Sequence, residues 1–405
     1  MEYRYIKGCR ICGSGNLNKY LDLGKQPLAN ALLSKNSLDQ KKYPLQVLFC
    51  NNCALSQLSV VVDPRVLYSD YPYHSSVSKT FKKHCRQMAS DIKKLFPKTK
   101  PLVVDIASND GCLLEQFKNE GYYVMGIEPC KKLAKKANER GISTIDDFWN
   151  KESAARVPAC NVITATNVFA HVDDVKEFVR LAKNNLKMFP KGVLVIEVPY
   201  LANLIKHNQF DTIYHEHLSY FLFTPLKNLF SSLGIPIFRV EEHSIHGGSL
   251  RIYASQHDRD EEDSVMEFVE NERNSGLLNF LTYKKYSKEV NRIKESFMSL
   301  LHDMRAHNKT VAAYGASAKG ISLMNYCGVT NTDISYIADD TPEKQGKFAP
   351  GCGIPIVSRD RFDTNAPDYM VLTAWNFSSE MKEKTADYRR RGGRYIVPIP
   401  NVRIE

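Results

Sequence analysis

The segment YHEHLSYF (residues 214–221) concentrates residue types that can carry or orient protons. Histidine titrates near neutrality, so it can serve as a general base, and tyrosine and glutamate can orient a reacting group. In an extended segment His215 and His217 would lie on one side, and Tyr214 and Glu216 on the other. The spacing is not the H-E-x-x-H of helical zinc sites, and no third ligand lies nearby in the sequence. The pattern favours proton transfer over metal binding, with hydrogen-bonded histidines that close a loop as the structural alternative.

Two C-x2-C pairs near the N-terminus predict a metal site. Cys9 and Cys12 form the first pair, Cys50 and Cys53 form the second, and 37 residues separate the pairs. Each pair presents two thiolates from one turn, and two pairs complete the closed four-thiolate shell of structural zinc. A closed shell has no open coordination position. The predicted zinc therefore holds structure and does no chemistry.

A turn at DIASNDGCL (residues 105–113) has the form of a cofactor-binding loop between a strand and a helix. It resembles the first motif of S-adenosylmethionine-dependent methyltransferases, with Ala107 in place of the usual first glycine and Gly111 as the last. Small residues there let a ligand approach the backbone, and Glu128 at the end of the next strand would bind ribose hydroxyls. The alternative is a plain Rossmann-like turn. The candidate cofactor residues are Asp105, Ala107, Asn109, Gly111, Glu128 and Asn167.

A second strand-to-helix turn, AAYGASAKG (residues 312–320), predicts an anion site. Backbone amides at the helix N-terminus, together with Lys319, suit a phosphate or a diphosphate. Gly315 and Ser317 lie in this turn, which lacks the glycine and Ser/Thr spacing of a P-loop or of G-x-G-x-x-G. The alternative is a tight turn with a solvent-exposed lysine.

These residues need a scaffold, and the apolar pattern of the chain predicts three domains. We expect a zinc-binding domain at residues 1–75, an S-adenosylmethionine-binding domain at 76–257, and a smaller Rossmann-like domain with a leading helix at 258–405. The central segment alternates strand and helix patterns, which predicts a doubly wound α/β sheet with its ligand at the carboxyl ends of the strands. GIPIFRVEEH and GGSLRIYASQH follow each other without a helix, so they predict an antiparallel hairpin at one edge. The C-terminal segment predicts four strands with crossover helices.

Composition restricts the class of protein and of partner. The chain has 405 residues, a formal net charge of +10 and ten cysteines. No window approaches the roughly 18 apolar residues of a membrane helix. The N-terminal residues lack the apolar core of a signal peptide, so a cytoplasmic protein is expected. The positive charge suits a polyanion, but the basic clusters lack the interleaved aromatic residues of a nucleic-acid groove.

Several motifs together resemble the sugar C-methyltransferase family. They are CRICGS with CNNC, SNDGCLL, YHEHLSYF, HGGSLRIY, and YGASAKG with DDTPEKQGKFAPGCGIPI. The resemblance covers essentially the whole chain, in the same domain order. Enzymes of this family transfer a methyl group from S-adenosylmethionine to C-3 of nucleotide-linked, usually dTDP-linked, 4-keto-deoxyhexoses. The resemblance implies that the substrate is such a sugar and that the partners include neither nucleic acid nor a membrane.

The resemblance also implies roles for individual residues. His217 would be the base that removes the proton α to the ketone, and His171, Tyr214 and Glu216 would order the sugar or stabilise the oxyanion. Tyr73 matches a tyrosine that closes over the sugar, with Tyr71 as the neighbouring candidate. The candidate substrate-binding residues are His215, Gly315, Ser317 and Lys319.

Two other functions remain open at this point. An RNA or protein methyltransferase with a zinc module would show a continuous basic and aromatic groove, and its binding would fall steeply with salt. A non-catalytic nucleotide-sugar-binding protein would not bind S-adenosylmethionine. The sequence leaves open the C-3 substituent, the sugar stereochemistry, the nucleotide base, and whether the protein is a monomer or a dimer.

Overall fold

A computed structural model of the protein describes residues 2–36, 39–68, 75–96, 100–186, 192–257 and 259–405. It shows a central α/β sheet and a smaller C-terminal α/β sheet, as the sequence predicts, and an antiparallel sheet in the segment that was predicted to bind zinc. In the described ranges, no helix combines the length and the apolar character needed to cross a bilayer. The boundaries at residues 75 and 257 stay predictions.

The N-terminal part is built on a four-stranded antiparallel sheet. Its elements are β1 (Tyr3–Tyr5), β2 (Leu17–Gln26), β3 (Tyr43–Cys50), β4 (Ser56–Leu58), β5 (Val60–Val62) and α1 (Pro64–Tyr68). Strands β2, β3 and β4 are neighbours in this sheet, and β1 pairs with β5 outside it. The fourth strand of the sheet, Ser219–Tyr220, comes from the central part of the chain and pairs with β4. The segment that follows His217 is therefore hydrogen-bonded to the cysteine-containing domain.

The central part is a seven-stranded sheet with helices on both faces. Its elements are α2 (Lys79–Leu95), β6 (Leu102–Ile106), α3 (Cys112–Asn119), β7 (Tyr123–Ile127), α4 (Lys131–Glu139), β8 (Thr144–Ile145), α5 (Lys151–Ala155), β9 (Val162–Thr166), α6 (Val175–Leu186), β10 (Val193–Pro199), α7 (Leu201–Lys206), β11 (Ser219–Tyr220), α8 (Phe223–Ser232), β12 (Ile237–His243) and β13 (Ser249–Ala254). The strand order is β12-β13-β10-β9-β6-β7-β8. Strands β6 to β10 run parallel, whereas β13 is antiparallel to both of its neighbours, which confirms the predicted hairpin.

Burial explains why these segments adopt their structures. Six consecutive residues of β10, from Val193 to Val198, are buried, because helices cover both faces of a parallel sheet. Helix α2 begins where the Ser78 side chain accepts a hydrogen bond from Phe81 N, and its buried residues recur every three or four positions. The reversal of order at β6 and β9 creates a switch point at the carboxyl ends of these strands. A ligand is expected in that crevice.

The C-terminal part begins with two helices and continues as a six-stranded sheet. Its elements are α9 (Asp263–Asn274), α10 (Phe280–Ala306), β14 (Val311–Tyr314), α11 (Ala318–Cys327), β15 (Ile337–Ala338), β16 (Ile356–Val357), α12 (Arg361–Thr364), β17 (Tyr369–Leu372), α13 (Ser378–Lys384), α14 (Ala386–Arg390), β18 (Arg394–Val397) and β19 (Arg403–Ile404). The strand order is β16-β15-β14-β17-β18-β19. The four predicted strands are β14, β15, β17 and β18. The two added edge strands, β16 and β19, have two residues each and were not predicted.

Candidate active site

The segment from Tyr214 to His217 forms a turn, so the predicted extended conformation is wrong. His217 N donates a hydrogen bond to the Tyr214 carbonyl at 3.0 Å, which closes a turn of four residues. In a turn of this kind, the first and fourth side chains meet, and alternation along a strand does not apply. Tyr214 and His217 consequently pair, with their ring centroids 4.2 Å apart.

His217 is held at both ring nitrogens. Its Nδ1 lies 2.9 Å from the Thr212 carbonyl oxygen, which can only accept, so Nδ1 carries the proton of the neutral ring. Its Nε2 lies 3.0 Å from the Tyr214 hydroxyl and then accepts the hydroxyl hydrogen. The backbone at Thr212 thus selects the tautomer whose Nε2 lone pair is available for a proton.

The environment keeps His217 neutral. Burial lowers the pKa of His217 well below its usual value, and the nearby His171, Lys319 and His246 lower it further. His171 has its ring centroid 5.0 Å from that of His217, and burial lowers the pKa of His171 to about 4. Both imidazoles are therefore uncharged near pH 7, the form in which a histidine can accept a proton.

The other two residues of the segment point to the N-terminal domain. His215 Nε2 lies 3.2 Å from the Tyr43 carbonyl and donates to it, and Glu216 Oε1 accepts from Asn30 Nδ2 at 2.7 Å. His215 and Glu216 are nearly completely buried. The structure therefore brings Tyr214, His217 and His171 together and places His215 and Glu216 at the domain interface.

A tyrosine that the sequence analysis missed stands beside these residues. The ring of Tyr68 stacks on His171 with centroids 5.8 Å apart and an interplanar angle of 12°, and its hydroxyl donates to the Glu216 carbonyl at 3.4 Å. Tyr71 and Tyr73, the tyrosines that were predicted to cover the sugar, lie outside the described residues. The repeated tyrosines of YSDYPYH were the available signal, and Tyr68 is the first of them.

The cofactor turn has an unusual backbone. Ala107, Asn109 and Gly111 have φ values of 58°, 53° and 79°, so alternate residues are left-handed. This conformation costs a residue with a side chain about 1–2 kcal/mol, a cost often found at functional turns. Ala107, at the position where the resembled motif has its first glycine, thus has a backbone conformation that glycine adopts readily. The Ala107 side chain is thus present at a position whose backbone geometry favours glycine.

Polar groups around the turn fit a nucleoside with hydroxyl and amino groups. Both carboxylate oxygens of Glu128 accept backbone N–H groups, from Asn109 and Cys130, each at 2.8 Å, which fixes the carboxylate at the end of β7. Within the described residues, the buried atoms Ser108 Oγ and Asp110 Oδ1 have no hydrogen-bond partner, as expected for a site that awaits a polar ligand. A cleft of about 440 Å³ opens beside Asp110. These residues can hold S-adenosylmethionine.

Two predicted cofactor residues and one missed acid lie near this turn. Asp105 is buried in the sheet, where Oδ1 accepts from Thr164 Oγ1 at 2.7 Å, and burial raises its pKa to about 7. Asn167 follows β9 with a φ of 55° and donates its N–H to the Glu197 carbonyl. Asp146 directly follows β8, as Glu128 follows β7, and is among the charges that raise the pKa of Glu128 after burial itself. An acid at a strand end was the signal for Asp146.

The second predicted site is arranged differently from the expected anion cradle. The Ser317 hydroxyl accepts from Gly320 N at 3.1 Å, and Asp339 Oδ2 accepts from Ala316 N at 2.7 Å, so the chain itself occupies these amides. Gly315 has a φ of 100°, as such a turn requires. Lys319 leaves the turn: its Nζ donates to the His246 carbonyl at 3.0 Å and lies 4.9 Å from the Trp375 ring centroid.

Lys319 is therefore neither beside the amides of its own turn nor a solvent-exposed lysine. It crosses to the central domain, where its charge acts on His217. The contact of this turn with a diphosphate stays a prediction.

The four cysteines form one cluster that fits zinc. Their Sγ atoms all lie within 4.8 Å of one another, and the closest pairs, Cys9 with Cys53 and Cys12 with Cys50, are 3.5 Å apart. A tetrahedral zinc with Zn–S bonds of about 2.3 Å requires sulfur atoms about 3.8 Å apart. A zinc ion bound here would have the four cysteines as its ligands and would stabilise the fold.

Arg10, within the first cysteine pair, connects the cysteine cluster to the segment around His217. Its Nη1 donates to the carbonyl oxygens of Leu58 and Leu218 at 3.2 and 3.1 Å, and its Nε pairs with Asp173 at 3.2 Å. Leu218 follows His217, and Asp173 lies two residues after His171. Only 3% of the Arg10 side chain is exposed, so these bonds are shielded from water.

Comparisons with known proteins match three successive segments of the chain. Residues 9–68 match a family described as a zinc binding domain, residues 80–238 match a methyltransferase domain, and residues 244–400 match a C-methyltransferase C-terminal domain. The C-methyltransferase NovU of Streptomyces niveus is 35% identical over 410 residues, which cover 99% of this chain and 97% of NovU.

Two further similarities cover smaller shares of the chain. A ubiquinone biosynthesis O-methyltransferase of Actinobacillus pleuropneumoniae is 33% identical over 102 residues, 23% of this chain and 43% of that protein. The crystal structure of the PH0226 protein of Pyrococcus horikoshii matches 47% of this chain and 98% of its own, at 13% identity and a TM-score of 0.37.

Proposed function

The chain belongs to the C-methyltransferase family and depends on S-adenosylmethionine, and we propose that it methylates C-3 of a dTDP-linked 4-keto-6-deoxyhexose. The observation that carries the proposal is the neutral, tautomer-fixed imidazole of His217, paired with the Tyr214 hydroxyl. Methylation at carbon requires a carbon nucleophile, and a C–H bond beside a ketone is one that an imidazole can deprotonate.

His217 acts as the general base in this proposal. Its Nε2 takes the proton from C-3, the C–H electron pair forms the C-3=C-4 double bond, and the ketone oxygen becomes an enolate. His217 becomes an imidazolium, whose Nδ1–H remains on the Thr212 carbonyl. The imidazolium and the enolate carry opposite charges in a buried site, so each stabilises the other.

Tyr214 serves the oxygen side of the same step. Its hydroxyl hydrogen is shared with Nε2 of His217 at 3.0 Å before reaction. Passing this hydrogen bond to the enolate oxygen frees the imidazole lone pair and stabilises the developing charge. His171, which is neutral, lies with its ring centroid 5.0 Å from that of His217, and Tyr68 stacks on His171.

When bound, S-adenosylmethionine supplies an electrophilic methyl group to the nucleophilic carbon. Glu128 would hold its ribose, and the left-handed turn from Ala107 to Gly111 would let its methionine part approach the backbone. The C-terminal domain would hold the nucleotide part of the sugar substrate. The cytoplasmic location of the enzyme stays a prediction.

The test is an incubation with S-adenosylmethionine and dTDP-4-keto-6-deoxyglucose in deuterated water, followed by mass spectrometry. We expect the sugar nucleotide to gain one methyl group. His217→Asn retains a donor for the Thr212 carbonyl but has no atom at the position of Nε2, so turnover should fall by about 10²–10⁴-fold. Its zinc content and cofactor affinity should match those of the unsubstituted protein. Unchanged turnover in this variant would remove the base assignment, and no methyl gain with the sugar would remove the substrate class.

A further inference from the structure

The C-terminal domain contacts the short 3-10 turn Phe210–Thr212, which precedes the catalytic residues. The Phe210 ring packs on Tyr326 of α11 with centroids 5.4 Å apart. Next to it, the Trp375 indole N–H donates to Asp211 Oδ2 at 2.6 Å. These two contacts link residues of the central domain to residues more than a hundred positions later in the chain. The turn is thus fixed from the C-terminal side.

The same turn carries the group that orients the base. The Thr212 carbonyl accepts the Nδ1–H of His217 at 2.9 Å, and Thr212 is the neighbour of Asp211. A displacement of the Asp211 carboxylate would shift this carbonyl and turn the imidazole ring. We infer that Asp211 and Trp375 are positioning residues for proton abstraction, through which the C-terminal domain holds His217 in its reactive orientation. The inference rests on the proposed role of His217 as the base.

Burial strengthens the hydrogen bond between Trp375 and Asp211 and makes its loss costly. Asp211 is completely buried. Burial raises the pKa of Asp211, while the charge of Lys319 and the bond from Trp375 oppose that rise. A buried carboxylate that loses its donor keeps its desolvation cost without compensation, so the local backbone should rearrange. Loss of one indole N–H should therefore act on His217 although Trp375 does not touch it.

Lys319 and Gly247 complete the setting of the indole. Lys319 Nζ lies 4.9 Å from the Trp375 ring centroid, and it donates to the carbonyl of His246. A Cβ at Gly247 would lie 2.9 Å from the Trp375 ring. The indole is thus enclosed by an ammonium and by backbone, which fixes the direction of its N–H toward Asp211.

The test compares two tryptophan variants in the full chain. Trp375→Phe removes the donor to Asp211 and retains an aromatic face for Lys319. Trp149→Phe is the matched control, because the Trp149 indole N–H also donates to an oxygen, the Phe178 carbonyl at 3.2 Å, far along the chain from the catalytic turn. Calorimetry with S-adenosylmethionine gives the number of intact binding sites, and turnover with dTDP-4-keto-6-deoxyglucose is expressed per site.

We expect Trp375→Phe to lower turnover per site by about 10–100-fold, the effect of a reacting group displaced by a fraction of an ångström to 1 Å. Trp149→Phe should retain its turnover. With a substrate deuterated at C-3, the isotope effect on kcat in Trp375→Phe should equal or exceed that of the unsubstituted enzyme, because proton removal has become more limiting. Misfolded molecules lower the number of sites but do not change this isotope effect.

Asp211→Asn provides the second variant if Trp375→Phe folds poorly. It keeps an oxygen acceptor for the indole but loses the charge. It should show a smaller fall in turnover per site than Trp375→Phe, again with an isotope effect equal to or larger than that of the unsubstituted enzyme. Turnover per site equal to that of the control, or a smaller isotope effect, would overturn the inference. If the unsubstituted enzyme itself transfers no methyl group to the sugar, the proposed function fails. That outcome is separate from a failure that appears only in the variants.

Discussion

Replacement of Arg10 by methionine tests whether the zinc-binding module supports the turn that carries His217, the proposed base. Methionine keeps most of the apolar stem of Arg10 and removes the guanidinium. The substitution removes the hydrogen bonds to the carbonyl oxygens of Leu58 and Leu218 and the ion pair with Asp173. The Leu218 carbonyl still accepts from Leu58 N at 2.9 Å, so the variant should fold with a looser junction.

The size of the effect follows from the exposure of the lost bonds. Hydrogen bonds to a charged group contribute about 1.5–3 kcal/mol each, and removal of a buried guanidinium relieves part of its desolvation cost, so we expect a net loss of about 2–4 kcal/mol. For cooperative unfolding of 405 residues at about 2.1 cal/mol/K per residue, this loss lowers Tm by about 2–5 °C. Turnover should fall as well, because Leu218 adjoins His217, whereas cofactor affinity should be unchanged.

The matched control is Arg4→Met. Arg4 pairs with the same Asp173 carboxylate, but 57% of its side chain is exposed, compared with 3% for Arg10. An exposed pair contributes about 0–1 kcal/mol, so this variant should melt within about 1 °C of the unsubstituted protein. The measurements are differential scanning calorimetry, cofactor titration and turnover. Equal effects of the two substitutions, or normal turnover in Arg10→Met, would refute the proposed support.

Three further predictions concern the metal, the cofactor site and pH. Removal of zinc by a strong chelator should lower Tm and abolish turnover. Added zinc should restore both Tm and turnover but should not raise turnover above its starting value. Elemental analysis, calorimetry and a turnover assay would check this prediction. Glu128→Gln should raise the Kd of S-adenosylmethionine by about 10–100-fold in a calorimetric titration, because a charged acceptor for ribose hydroxyls is lost; an unchanged Kd would contradict this. Burial lowers the pKa of His215 from 6.5 to about 4. Above pH 6.5 His215 is neutral in both the folded and the unfolded protein, so its contribution to stability is complete. As the pH falls from 6.5 toward 4, only the unfolded protein binds the proton, and the free energy of unfolding decreases by about 1.4 kcal/mol per pH unit. His215→Gln, which can still donate to the Tyr43 carbonyl, should therefore show a smaller fall in Tm between pH 7 and pH 5 than the unsubstituted protein, and an equal fall would exclude this explanation.

Features that depend on a few consecutive residues could be predicted from the sequence. The four cysteines meet because each C-x2-C pair is a single turn, and the geometry of the ligands determines the rest. The cofactor turn was found because small residues followed an apolar strand and an acid ended the next one. The doubly wound architecture of the central sheet follows from the same alternation of strands and helices. In each case the cause lies within one element or between adjacent elements.

Features that depend on contacts between domains could not be predicted in this way. The turn at Tyr214 is stabilised by Thr212 and by residues of the N-terminal domain, so a rule for strands gave the wrong pairing of side chains. Asp211 and Trp375 are 164 positions apart, and Arg10 and Leu218 are 208 apart. Lys319 was predicted to serve its own turn, but the packing of α11 directs it to His246. A local sequence pattern spans too few residues to predict contacts at these separations.

The junction around residues 211–218, which receives Arg10 and Asn30 from one side and Trp375 from the other, restricts how this protein can be recombined. A chimera that borrows its cysteine module or its last domain from a distant relative will lose turnover unless the matching contact residues are transferred with it. Recombination among such enzymes should therefore exchange the whole gene. Cross-over points that survive selection should not separate residues 211–218 from the residues that contact them.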